Sequence, residues 1–107
     1  MERKETDTIG QFIKNLRTEK AETLHQVSKA TDIDMTMLSK IERGERLPTT
    51  EQVRKMAAYF ILSENELQTK LTAERIIKEY GINETTYNAI KMVEEHLIPY
   101  LNKLSNS

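Results

Sequence analysis

The chain has 107 residues, a net charge of −1 and no cysteine. That length holds one domain with a real core, or a small domain plus an extension. The lack of cysteine excludes a disulfide framework, a thiolate metal site and a thiol nucleophile. The near-neutral balance excludes a uniformly basic nucleic-acid coat. Residues 1–62 carry eleven basic against ten acidic side chains and residues 63–107 five against seven, so any DNA binding must rest on a local cluster. With only 3 Gly and 2 Pro, the chain is expected to be mostly helical. No apolar h-region follows MERKETD and no run approaches membrane-spanning length, so a cytoplasmic protein without membrane association is expected.

Residues 1–7 are polar without an apolar anchor and read as a disordered N-terminus. Thr8 is placed to cap a helix in which Ile9, Phe12, Ile13 and Leu16 fall at i, i+3, i+4 and i+7, with Arg17 at the edge of that stripe. This helix should stop near Lys20-Ala21. A second helix follows Glu22-Thr23, with Leu24, Val27 and Thr31 inward and Ala30 beside them. Ser28 and Ala30 are small, as suits a close helix crossing. Asp32 and Asp34 can each supply an oxygen for the next helix start. Asp34 is favoured, because Ile33 then points inward ahead of a third helix that buries Leu38 and Ile41. Gly44 suits the end of that helix.

Leu47-Pro48 forces an extended step. Thr49-Thr50-Glu51-Gln52 then reads as a capping box before a fourth helix that buries Val53, Met56, Ala57 and Phe60. Ser63-Glu64-Asn65-Glu66 is a second such box and opens helix five. There Leu67 and Leu71 share one face, while Ala73, Ile76, Ile77 and Tyr80 share another. Either the helix breaks near Thr72 or one long helix serves two cores; the lack of Gly or Pro between Leu67 and Tyr80 favours one helix. Tyr80-Gly81 ends it. Asn83 caps a last helix over about 83–104, in which Ile90, Val93, Leu97, Tyr100 and Leu104 have heptad spacing. Pro99 should kink or end that helix. The fold class is therefore all-α, with 8–68 a five-helix domain and 69–107 a helical extension.

Catalytic patterns are missing from this sequence: there is no Gly-rich phosphate loop, no Ser/His/Asp grouping and no HExxH. Glu94-Glu95-His96 splay around a helix and read as a solvated face, not a metal site. No cofactor, metal or small-molecule ligand is expected. The informative stretch is Thr23–Pro48, two short helical patterns around a tight polar corner, which is what a helix-turn-helix requires. With Leu38 and Ile41 inward, Met35, Thr36, Ser39, Lys40 and Arg43 lie outward on the second of these helices. Met35 can touch thymine methyls, Thr36 and Ser39 can bond base edges, and Lys40 can reach guanine O6/N7. Arg43 and Arg46, around Gly44, suit phosphate contacts, as do His25 and Thr49.

Residues 9–68 resemble the phage repressor/Cro (XRE) type of helix-turn-helix domain, above all in Leu38-Ser39-Lys40-Ile41-Glu42-Arg43-Gly44 with Pro48 after the loop. The resemblance implies five helices, the second and third forming the motif, in a sequence-specific regulator of transcription. It also implies an ion pair between Arg17 of helix one and Glu42 of the I-E-x-G motif. Three positions depart from the family pattern: Leu24 stands where a polar residue is usual, Asp32 where Gly is usual, and Asp34 where Ser is common. The stretch LTAERIIKEYGINETTYNAIKMVEEHL is similar to the helical extension of regulators associated with restriction-modification or mobile-element loci.

The expected activity is repression at a palindromic site on double-stranded DNA by a homodimer. Tyr87, Ile90, Val93, Leu97 and Leu101 form the candidate dimer element; the alternative for that face is packing within the chain against Ile76, Ile77 and Tyr80. A reading from another class is an antitoxin or adaptor that binds a partner protein through its C-terminal helices.

Overall fold

Thr8 opens the first helix by accepting a hydrogen bond from Gln11 N on its hydroxyl, while its own N–H donates to Gln11 Oε1. The computed structural model describes residues 8–105, so the expectation for residues 1–7 lies outside the described residues. Among these residues the chain forms six helices: α1 Ile9–Glu19, α2 Leu24–Thr31, α3 Met35–Glu42, α4 Thr50–Phe60, α5 Glu64–Tyr80 and α6 Glu84–Ser105. The same reciprocal cap opens α2, between Thr23 and Gln26, and α4, between Thr49 and Gln52. At α5 Ser63 Oγ accepts from Glu66 N. Each cap satisfies backbone donors that a helix start leaves open, and is worth about 1 kcal/mol.

The corner between α2 and α3 is set by Asp32, which takes the left-handed conformation at φ 58°. The resemblance implies Gly at this position, and Asp is one of the few other residues that tolerate such a backbone. Asp34 then caps α3, accepting from Met37 N at 3.2 Å. Ser28 Oγ donates to Ile33 O across the corner, and Ile33 is buried behind it. Ala30 is exposed, not at a crossing as its size suggested. The close approach is made instead by Gly10 on α1. A Cβ there would lie 2.0 Å from Ile41 O, so only the bare backbone lets α1 pack against the end of α3.

The core joins Ile9, Ile13 and Leu16 of α1, Val27, Ile33 and Leu38 of the motif, Val53, Met56, Ala57 and Phe60 of α4, and Leu67 and Leu71 of α5. Phe12, Leu24 and Met37 are partly buried against it. The departure at Leu24 is thus an apolar residue that rests on the core. Burial of each Ile, Leu or Phe contributes about 1.5–3 kcal/mol, and this is what holds three helices of 8–11 residues that would be marginal alone.

Helix α5 is continuous from Glu64 to Tyr80, without a break at Thr72. The chain divides into two compact units, the first reaching Arg75 and the second beginning at Ile76. In the first, Glu74 of α5 accepts from Ile9 N at 3.0 Å and so closes the start of α1. In the second, Gly81 at φ 84° turns the chain, and Asn83 caps α6 by accepting from Thr86 N. Helix α6 continues through Pro99 to Ser105, instead of ending there. Proline frees the carbonyl of Glu95, and Glu95 is exposed, so water can take that bond. None of the described residues of α6 is buried.

Candidate nucleic-acid interface

The second helix of the motif has two opposite sides. Leu38, Ile41 and Glu42 are buried, and Met35 and Thr36 are exposed, with Ser39 and Lys40 partly so. Counted at about 100° per residue, Met35, Thr36, Ser39, Lys40 and Arg43 share one side of α3. The helix is held at its base by one ion pair. Arg17 Nε donates to Glu42 Oε2 at 2.8 Å and Arg17 Nη2 to Glu42 Oε1 at 2.9 Å, a two-pronged contact. The side chains are 13% and 5% exposed, so the pair sits at the inner edge of the motif. The Glu42 carboxylate raises the Arg17 guanidinium above its ordinary value, which keeps the charge in place despite burial. The third prong, Arg17 Nη1, donates to Glu22 O and fixes the turn into α2. A single arginine therefore ties α1, the turn before α2, and the end of α3.

The turn after α3 presents the basic groups. Gly44 at φ 76° reverses the chain, and the N–H groups of Glu45 and Arg46 both donate to Lys40 O. Arg43 and Arg46 are exposed beside it. Arg43 Nε is engaged by Glu45 Oε2 at 2.6 Å, with both side chains more than half exposed. An anion arriving at Arg43 competes with that carboxylate. Thr49 is exposed, but its N–H is committed to Gln52 Oε1 and its oxygen already accepts from Gln52 N, which leaves the hydroxyl proton to offer. His25 lies exposed in the first turn of α2. Met35, Thr36, Ser39 and Lys40 thus come together on one helix, with Arg43 and Arg46 at its end. His25 and Thr49 stand on separate helix starts.

Sequence reasoning missed several groups that brace this site. Glu22, beside the α1–α2 turn, accepts a hydrogen bond from the Tyr59 hydroxyl of α4, and that bond raises the Tyr59 hydroxyl above its ordinary range. Glu45 was missed as a partner of Arg43. The i, i+2 spacing around a glycine turn was the one available signal for it.

The layout of a buried brace beneath an exposed second helix defines a class. Residues 13–67, just over half of the chain, match the helix-turn-helix family model. The chain belongs to the helix-turn-helix family, of the phage-repressor (XRE) type, a family of DNA-binding transcriptional regulators and not an enzyme class. It is similar to the ImmF control region 10 kDa protein of Bacillus phage phi105, with 34% identity over 73 residues, covering 68% of this chain and 79% of that protein. No helix among the described residues is long and apolar enough to cross a membrane.

Proposed function

We propose that this regulator acts in the cytoplasm as a repressor, binding a palindromic operator as a homodimer and blocking transcription by occupancy. The observation that carries the reading is the outward side of α3, where polar and basic side chains end in a turn bearing Arg43 and Arg46. Met35, Thr36, Ser39 and Lys40 contact base edges. His25, Arg43, Arg46 and Thr49 hold phosphates, with Glu45 displaced from Arg43 as the backbone arrives. The first-turn position of His25 also places it at the positive end of the α2 dipole, where a phosphate is favoured. Dimerisation uses Tyr87, Ile90, Val93, Leu97 and Leu101, each at least 43% exposed in the single chain.

That same open face of α6 supports the second reading, an adaptor or antitoxin that binds a different protein. Selection of bound sites from random DNA separates the readings. The regulator reading predicts two inverted half-sites with centres about 34–36 Å apart, or a multiple of that. A lone half-site would contradict the homodimer, and no enrichment would contradict operator binding. Lys40→Ala should weaken binding to the selected site by about 1–3 kcal/mol and leave the melting temperature unchanged.

A further inference from the structure

The face of α6 specifies an orientation as well as a partner. Ile90, Val93, Leu97 and Tyr100 follow at heptad spacing, flanked by Tyr87 and Leu101, and all six are between 43% and 64% exposed. At about 100° per residue the first four fall within about 80° of arc. Asn88, Glu95 and Asn102 lie on the opposite side, and Pro99 lies with them. The one backbone bond that proline removes is therefore on the outer side.

The area constrains the occupant. A helix of 22 residues is about 33 Å long, and a second such helix laid along it would cover on the order of 1,000 Å² in total, the lower bound for a specific interface. A partner meeting one end would fall short. The line Ile90, Val93, Leu97 and Tyr100 carries no charged side chain, Glu94 lying at its edge between Leu101 and Tyr87, and its side chains fit those of a second copy best in one direction. The geometry points to a second copy of this chain packed antiparallel along α6, with its two-fold axis between Val93 and Leu97.

In that register Ile90 packs against Tyr100 of the second copy, Val93 against Leu97 of the second copy, and Tyr87 beside Leu101 of the second copy. Each layer sets a larger side chain on a smaller or differently shaped one. A parallel pair would stack each residue on its own copy and bring two Tyr100 hydroxyls into one layer. The ends agree: an antiparallel pair lays the two helix dipoles in opposed directions, the favourable arrangement. This arrangement rests on the homodimer reading above and adds the orientation.

The test uses the full chain, whose lack of cysteine allows single labels. Asn88→Cys, Glu95→Cys and Asn102→Cys place a nitroxide on the outer stripe, all at exposed residues outside the seam. Distances between labels in the dimer are then read by pulsed electron spin resonance. Positions 88 and 102 lie seven residues either side of 95, an axial offset of about 21 Å between copies in the antiparallel pair. The expected result is the shortest distance at 95 and longer, matching distances at 88 and 102. Three equal distances mean a parallel pair, which overturns the orientation and leaves the homodimer standing. Any other pattern, such as a minimum at 88 or at 102, moves the two-fold axis away from 95 or the interface away from α6, and either overturns the arrangement. No distance between copies at high concentration overturns the arrangement and the homodimer together.

Discussion

Helices α4 and α6 both carry an apolar stripe at helical spacing, yet their fates in the chain differ. Val53, Met56, Ala57 and Phe60 of α4 are at most 3% exposed, whereas Ile90, Val93, Leu97 and Tyr100 of α6 are at least 43% exposed. The first stripe is covered by α1, the motif and α5; the second has no cover among the described residues. Periodicity reports that a helix has an apolar face. What covers the face depends on whether loops and caps bring other apolar faces to it. In the first unit short turns, each fixed by a cap or a left-handed residue, do that. In the second unit, one turn at Gly81 leads to one long helix.

If the first unit is complete in itself, damage to its internal fit should dominate the stability of the protein. Arg17→Ala leaves Glu42 buried without its partner and releases the turn at Glu22. The expected loss is about 3–5 kcal/mol, read by denaturant unfolding followed by circular dichroism. An unchanged midpoint would mean that the ion pair contributes nothing to the fold. Gly10→Ala forces a Cβ against the Ile41 carbonyl, and α1 must lift away from α3. A loss of about 1–3 kcal/mol is expected, and a stable variant would mean that the two helices do not touch there.

Two further substitutions have smaller expected effects. Ile61 ends α4 at φ 56°, a left-handed conformation that a β-branched side chain resists, and 87% of it is exposed. Ile61→Gly should raise stability by about 1 kcal/mol, since little packing is lost; a lower melting temperature would show that its side chain is covered in solution. Glu74 tests the link between α5 and α1. Burial raises its carboxyl, outweighing the Ile9 N–H and Lys70, which lower it. A carboxyl that holds its proton more tightly when folded contributes stability in acid that is lost as pH rises through the raised value. Glu74→Gln keeps an oxygen for Ile9 N–H and removes the titration. The parent should therefore lose stability relative to the variant as pH rises from 4.5 towards neutral, by less than about 1 kcal/mol at this half-open site. A constant difference across that range would place the carboxyl in free solvent.

Much of the first unit was legible because its signals are local. Thr8, Asp34 and Thr49 are caps recognisable from the residues that follow them, and the stripes of α1 and α4 need only counting. The turn at Gly44 and the extended step at Pro48 are equally local. What escaped depends on residues distant in sequence. Gly10 costs helix propensity by itself, and its value emerges only when Ile41 lies against it. Glu74 is one of several acids on α5 until Ile9 N is found beside it. Arg17 and Glu42 stand twenty-five positions apart; the family resemblance, not spacing, linked them, and in the structure their side chains do meet. Ala30 misled because small size suits a crossing and an exposed helix face equally well. Of the two outcomes expected at Pro99, a kink or an end, the helix does not end there, because water can reach the freed carbonyl. For the outward side of α3, the sequence gives side-chain chemistry, and the burial of Leu38, Ile41 and Glu42 fixes which side is outward.

The contrast between a filled first unit and an open second one makes the state of the chain in solution its most direct test. Light scattering at high micromolar concentration should give twice the chain mass of 12.5 kDa for the parent. Leu97→Glu should halve that mass without moving the melting transition of the first unit. A parent that scatters as a monomer at that concentration would contradict the claim that α6 is completed by a second copy.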